Sequence, residues 1–255
     1  MSNELAKQEG GPLVVPEFLK GVSGSEGLEK VRKEDLILPR LGVCQSLSPQ
    51  RQKNKPNYIN GLEEGMIFNN VTEEILTKSF DDKVAFIPLV YTPSRILYKD
   101  RKEGGGILCR SFNAIDGGTI APLCEQCTNS KFHDTTPPTC TYFMNVVCLL
   151  LPSKQLAILS FKSKELTITA RPWITRMKSR NKPAYAQEYE MSVITASSEK
   201  GDFFARKIVF KGFVQNEELY NFAKSEYENI RGIKVVAHDE DEAEAGQETD
   251  QDIPF

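Results

Sequence analysis

Four cysteines whose spacing suits a metal ion bracket a stretch with few apolar residues. Cys109, Cys124, Cys127 and Cys140 follow the pattern C-x14-C-x2-C-x12-C. A Cys-x2-Cys turn lets two thiolates reach one ion, and a tetrahedral Zn²⁺ takes four such ligands. Metal binding would also supply the folding free energy that a polar loop of this length cannot gain by burial. The spacing therefore predicts a structural zinc site within an insertion at about 104–140.

Other interpretations of the cysteines stay open. They could be scattered free thiols, or His133 could replace one of them as a ligand. Redox use of the Cys-x2-Cys pair is disfavoured, because no strand-to-helix context of the thioredoxin type surrounds it. Cys148 lies inside an apolar run and Cys44 follows Val43, so both are predicted to be core residues.

A second candidate site is basic and aromatic. The stretch RPWITRMKSRNK at 171–182 contains the only tryptophan and five Lys or Arg residues, with no acid. Single-stranded DNA is bound by positive surfaces that follow the phosphates and by aromatic faces on which bases stack. A buried Trp173 and an ordinary solvated charged face are the alternatives. The candidate DNA-binding residues are Arg95, Tyr98, Lys99, Arg110, Phe112, Arg171, Trp173, Arg176, Lys178, Arg180, Lys182, Tyr185, Tyr189, Phe203, Arg206, Lys207 and Lys211.

Charge is unevenly distributed along the chain. The stretch 239–255 carries eight carboxylates and no Lys or Arg, and it finishes Asp252-Ile253-Pro254-Phe255. Removing these eight acids from the total of 35 leaves 27 against 32 Lys and Arg, so residues 1–238 carry about +5. A basic body joined to an acidic segment suggests a polyanionic ligand and a segment that imitates it.

Little in the sequence indicates an enzyme. Its two histidines, His133 and His238, leave no material for a histidine-based triad, and the triple glycine at 104–106 is not followed by the Lys of a phosphate loop. No apolar run is long enough to span a bilayer, and the first residues lack the pattern of a secretory signal. We therefore expect a non-enzymatic cytoplasmic protein whose cysteines are not in disulfides.

The apolar patterns predict mostly strands. They lie at 84–91, 94–98, 139–151, 155–162, 183–196 and 203–213, with one helix near 166–177 and another at 216–230. This order favours a mainly β (α+β) fold, an OB-fold-like β-barrel with a zinc-binding loop insertion and a C-terminal helix. We expect a flexible arm at 1–30, a DNA-binding domain at 31–235 and a disordered acidic tail at 236–255.

Two resemblances bear on function. The ending Asp252-Ile253-Pro254-Phe255 after an acidic stretch resembles the C-terminal tip of bacterial single-stranded DNA-binding proteins, and phage T7-type single-stranded DNA-binding proteins are similar in pairing an OB-fold with an acidic tail that ends in Phe. The motifs LPRLGVCQSLSPQ, LCRSFNAIDGG, CEQC and TYFMNVVCLLL resemble those of phage-encoded proteins classed as single-stranded DNA-binding, over roughly 35–213. The body is longer than the compact bacterial protein, so tetramer formation is not implied.

These resemblances imply a protein that coats single-stranded DNA in replication, recombination or repair. The four tip residues would recruit a polymerase, primase, helicase or nuclease. The alternatives are a strand-annealing or recombination mediator protein and a phage structural or interaction module. Oligomeric state is not predicted.

Overall fold

The computed structural model describes Glu17 and residues 38–100, 104–134, 136–198 and 201–232. Two short strands, β1 (Leu41–Val43) and β2 (Ile67–Asn69), pair antiparallel. The main sheet contains β3 (Val84–Tyr98), β4 (Ile107–Ser111), β5 (Thr141–Leu151), β6 (Leu156–Phe161), β7 (Gln187–Ser198) and β8 (Gly201–Phe213). Its order is β6-β5-β3-β7-β8, with β4 also pairing with β3, and each of these pairings is antiparallel.

Strand β3 organises the sheet because it is long enough to have three partners. Its beginning pairs with β7, nearly its whole length pairs with β5, and its end pairs with β4. The sequence pattern predicts two strands here, 84–91 and 94–98, separated by Thr92 and Pro93. The strand continues through both Pro88 and Pro93, with a register shift between Pro88 and Val90, and irregular pairing is where a sheet tolerates proline.

Helices cover both faces of the sheet. Between β6 and β7 the chain forms α1 (Ser163–Glu165), a π-helical turn (Leu166–Ala170) and α2 (Arg171–Ser179), and α3 (Glu217–Ile230) follows β8. Side chains of a strand alternate between faces. On β5, accordingly, Val146 and Cys148 join the core that contains Trp173 of α2, whereas Val147 and Leu149 join the core that contains Ala223 of α3.

Local sequence features account for both helices. The β-branched run at 167–169 is wound as the π-helical turn, and Thr169 Oγ1 donates to the Arg206 carbonyl at 2.6 Å. Pro172 stands in the first turn of α2, where its missing N–H costs nothing. Asn216 caps α3 by accepting from the Leu219 N–H at 2.8 Å.

Residues 39–45 bridge the two end strands of the sheet. The Ile158 N–H of β6 donates to the Pro39 carbonyl at 2.8 Å. On the other side, the Gln45 side chain accepts from the Phe204 N–H of β8 at 2.9 Å and donates to the Phe204 carbonyl at 2.8 Å. The segment therefore satisfies edge groups on both β6 and β8.

The expected mainly β fold with a central and a C-terminal helix is confirmed. Within the described residues, strand pairing leaves β6 and β8 as ends, so the expected OB-fold-like barrel is not closed by pairing. A small third core around Cys44, Ile59, Leu62 and Phe68 was not predicted. The arm at 1–30, apart from Glu17, and the tail at 236–255 lie outside the described residues.

None of the helices that the structure describes combines the length and the apolar character needed to cross a membrane.

Candidate nucleic-acid interface and cysteine cavity

A basic surface follows α2 and the turn after it, and we call its five cations the α2 ridge. Trp173 anchors the helix because its ring is 1% exposed and lies 5.8 Å from the Phe86 ring. The opposite side of the helix therefore faces solvent. The ridge consists of the exposed Arg171, Arg176, Lys178 and Lys182 and the half-buried Arg180. No acid interrupts 171–182, and at 1.5 Å per residue α2 spans roughly 13 Å.

A tyrosine pair lies near the Arg171 end of the ridge. The hydroxyls of Tyr91 on β3 and Tyr142 on β5 are 2.7 Å apart, and the Arg95 guanidinium stands 5.2 Å from the centre of the Tyr142 ring. Burial raises the pKa of Tyr91 and the Tyr142 hydrogen bond adds to that rise, whereas the positive charge of Arg171 opposes it. Two cations and two aromatic rings are thus assembled at this end.

The other end of the ridge holds a second aromatic cluster. The Arg180 guanidinium stands 3.9 Å from the centre of the Phe210 ring and donates to the Arg176 carbonyl at 2.7 Å. Phe213 packs edge-on against Phe210 at 5.5 Å and is 41% exposed. The ridge therefore runs between two places where an arginine covers an aromatic ring.

A third ring and guanidinium pair lies at the end of β4. Arg110 stands 5.8 Å from the centre of the Phe112 ring, and Phe112 is 39% exposed. Arg95 on β3 is in register with Ser111 of β4. The predicted cations Arg95 and Arg110 are therefore brought onto neighbouring strands.

Three of the predicted DNA-binding residues are buried, which corrects their assignment. Trp173 and Tyr189 are each 1% exposed, and their rings pack edge-on at 5.6 Å in the core. Arg206 is 6% exposed and is ion-paired with Glu165 at 2.8 Å. None of these three side chains presents a surface to a nucleic acid.

Other predicted residues are not part of the ridge. The Tyr185 ring packs 5.1 Å from Tyr227 of α3, against the other face of the sheet. Lys211 is ion-paired with Glu190 at 2.7 Å. The remaining predicted positions are the exposed Lys207 and the half-buried Phe203 on β8, and the half-buried Tyr98 and Lys99 at the end of β3.

The four cysteines of the insertion line one cavity next to the tyrosine pair. Cys109, Cys124, Cys127 and Cys140 all contribute to its wall, and so does Arg95. A 3₁₀ turn brings Cys127 back to Cys124, with the Cys127 N–H donating to the Cys124 carbonyl at 3.2 Å. Burial raises the pKa of the Cys140 thiol, Arg95 opposes this, and the other three thiols add to the rise.

The donor set of this cavity fits zinc in number and chemistry. Four thiols are the ligands of a tetrahedral structural site, and a methyl group on Gly118 would lie 2.7 Å from Cys109 Sγ, so the backbone closes tightly over one thiol. Across the described ranges, however, no three Cys, His, Asp or Glu side chains are arranged as a formed metal site. The thiols share a cavity without the geometry of bound ligands.

The other cysteines and the alternative ligand are also placed. Cys44 and Cys148 are 0% exposed core residues, as predicted. His133 is exposed, with Nε2 lying 3.0 Å from the Thr128 carbonyl, and it does not line the cavity. All six cysteines, each in the described part of the chain, are free thiols.

Sequence reasoning missed Tyr91 and Tyr142 as members of the first cluster. Tyr91 and Tyr142 are 51 positions apart, and only the register of β3 with β5 places them together. Phe210 of β8 is half-buried, and no local sequence pattern indicates that Arg180 covers its ring.

The protein is thus a mainly β protein with an antiparallel sheet, one central helix and one C-terminal helix. It carries a basic ridge and a cavity lined by cysteines. A family model described as Pam3 phage gp34-like protein matches residues 7–236. The chain belongs to this phage protein family. That description confirms the phage part of the sequence resemblance and names no activity. No curated protein and no solved structure matches the chain.

Proposed function

We propose that this protein binds single-stranded DNA without sequence preference and acts by coating it rather than by catalysis. The observation that carries this proposal is the α2 ridge, five cations with no intervening acid that run between two arginine-covered aromatic clusters. The three cations on α2 itself, which spans roughly 13 Å, suit the repeated phosphates of a strand, and ring faces accept any base.

The charge on the opposite face of the sheet supports DNA binding at the α2 ridge. The outer surface of α3 bears Glu217, Glu218 and Glu228 with Lys224 as the only exposed cation of that helix. Because α2 and α3 cover opposite faces of the sheet, a polyanion is attracted to one face and repelled from the other.

The strand order supports an OB-fold-like barrel as the scaffold. Strands β3, β5 and β6 follow one another across the sheet, a helix comes next, and the β7–β8 hairpin joins the other side of β3. This order of five strands with an intervening helix supports the proposed OB-fold, which is a partly open five-stranded barrel that binds oligonucleotides. Residues 39–45 stand where β6 and β8 would otherwise close the ring.

We further propose that Cys109, Cys124, Cys127 and Cys140 hold a structural zinc. When bound, the metal would supply folding free energy to the insertion. The chain's own contribution is to converge four thiols on one cavity and to close the backbone over Cys109 at Gly118.

The acidic segment 239–255 completes the proposed mechanism. Its eight carboxylates would compete with DNA for the α2 ridge, and Asp252, Ile253, Pro254 and Phe255 would address a polymerase, primase, helicase or nuclease. DNA binding would then displace the segment and release it to partners in the host cytoplasm.

Fluorescence anisotropy with a labelled single-stranded oligonucleotide tests the proposal. We expect binding that weakens steeply with salt, since each phosphate contact contributes roughly −0.7 to the slope of log K against log salt. A duplex of the same length should bind more weakly. Absence of salt-dependent binding to single strands would contradict the proposal.

A further inference from the structure

Guanidinium groups cover both half-buried and buried rings of this protein, but the two kinds of pair differ in whether a carboxylate matches the charge of the arginine. Arg95 covers Tyr142 at 5.2 Å and Arg180 covers Phe210 at 3.9 Å. The buried pair, Arg206 over Phe161 at 4.5 Å, has its charge matched by Glu165. Among the described residues, no carboxylate is ion-paired with Arg95 or Arg180.

The absence of a described carboxylate partner matters for what these two arginines can bind. A guanidinium on an aromatic face is held by a weak attraction of about 0.5–1 kcal/mol at exposed sites. A phosphate offers the same guanidinium a stronger, bidentate, charge-assisted contact. For Arg95 an arriving phosphate therefore replaces a weaker contact, whereas for Arg180 it must also replace the hydrogen bonds to the Arg176 carbonyl at 2.7 Å and to the Tyr189 hydroxyl at 3.4 Å.

The rings themselves are held in place by the fold. Tyr142 is tied to Tyr91 through their hydroxyls and packs at the edge of the core that holds Trp173. Phe210 packs edge-on against both Tyr189 and Phe213 at 5.5 Å. Moving the arginine therefore exposes a ring face without moving the ring.

We propose that Arg95–Tyr142 and Arg180–Phe210 are two nucleotide subsites that work by exchange. At each subsite the arginine leaves the ring to bind a phosphate, and an unpaired base stacks on the ring face that it vacates. No covalent bond changes. This inference rests on the proposed function and assigns its stacking partners, which differ from the Trp173 and Tyr189 of the sequence-based prediction.

The two halves of each subsite make different contributions and can be separated. Removing the ring removes base stacking, which contributes roughly fivefold or more in affinity per stack. Removing the arginine removes a phosphate contact and lowers the salt slope by roughly 0.7. A role in structure alone would produce neither pattern.

The test compares an oligo-dT with an oligomer of the same length in which every base is replaced by an abasic site. Wild-type protein should bind oligo-dT at least fivefold more tightly than the abasic strand. Tyr142→Leu and Phe210→Leu, which keep an apolar side chain, should each shrink this ratio and leave the affinity for the abasic strand unchanged. Arg95→Ala and Arg180→Ala should keep the ratio and lower the salt slope.

Phe222→Leu is the matched control. The Lys154 ammonium covers the Phe222 ring at 5.1 Å. Because Phe222 lies on α3, which packs against the other face of the sheet, its substitution should not change the ratio of the two affinities. Equal affinity of the wild type for the two strands, or ratios unaffected by either ring substitution, would overturn the exchange subsites while leaving phosphate-based coating intact. Failure of the wild type to bind either strand would overturn the proposed function together with the subsites. The two ring variants report independently, so one that fails to fold leaves the other to decide.

Discussion

Glu165 and Arg206 form a buried ion pair at the edge of the sheet. Glu165 Oε1 accepts from the Arg206 backbone N–H at 3.0 Å and from its Nε at 2.8 Å, while Oε2 accepts from Nη2 at 2.8 Å. One carboxylate thus satisfies both the charge of the arginine and an edge group of β8. This pair fixes the helical segment before α2 against the strand that carries Phe210.

Glu165→Gln should destabilise the protein strongly. The change leaves the Arg206 charge buried without its counter-charge, and breaking a buried pair costs about 3–5 kcal/mol. Urea denaturation should show that the free energy of unfolding falls by this amount. Glu64→Gln is the control, because Arg51 and Glu64 are both partly exposed and such pairs contribute less than about 1 kcal/mol. Equal effects of the two substitutions would contradict the structural role.

Gln45→Ala tests the bridge between β6 and β8. The substitution removes two hydrogen bonds to Phe204, and unpaired, partly buried backbone groups cost about 1–3 kcal/mol. Thermal unfolding should therefore begin at a lower temperature. Gln52→Ala, at an exposed side chain with only a 3.5 Å contact, should change little. A bridge that contributes nothing would make the two variants indistinguishable.

Metal analysis of purified protein tests the cysteine cavity. We expect about one zinc per chain, lost in Cys124→Ser and retained in Cys148→Ala, since Cys148 lies in the core away from the cavity. Loss of metal should destabilise the insertion, measurable as faster proteolysis within 104–140. A metal-free preparation whose insertion resists proteolysis would contradict the zinc proposal.

The acidic segment is tested by two deletions. Removing residues 239–255 should tighten binding of single-stranded DNA at low salt, because eight competing carboxylates are lost. Removing Phe255 alone should leave DNA affinity unchanged and abolish recruitment of a partner enzyme. An unchanged affinity after the full deletion would remove the competition mechanism.

Sequence patterns predicted the elements better than their contacts. The strands β5, β6 and β8 and the helix α3 follow from apolar periodicity, and the four cysteines that share a cavity follow from their spacing. Trp173 was the hardest residue to assign, because a tryptophan among five cations is compatible with a stacking platform as well as with a helix anchor. Burial decides for the anchor, and the exposed aromatic surface comes instead from rings brought together by strand register.

Arg206 is a second residue whose burial the local sequence does not reveal. It stands in a basic and aromatic run on β8, which predicts a surface role, yet strand alternation directs it inward. Its counter-charge, Glu165, is 41 positions away in the sequence. No local pattern reveals such a pair, so the number of surface cations was overestimated.

The most direct test of the central claim measures single-stranded DNA affinity after charge removal on the α2 ridge. Arg171, Arg176 and Lys178 are replaced together by Gln, and Lys53, Lys55 and Lys224, all exposed and outside the ridge, are replaced in a control of equal charge change. We expect the ridge variant to lose most of its affinity and its salt slope to fall by about 2, at roughly 0.7 per contact, while the control keeps its affinity and its slope. Equal losses in the two variants would show that net charge alone attracts DNA, and would contradict a binding surface on α2.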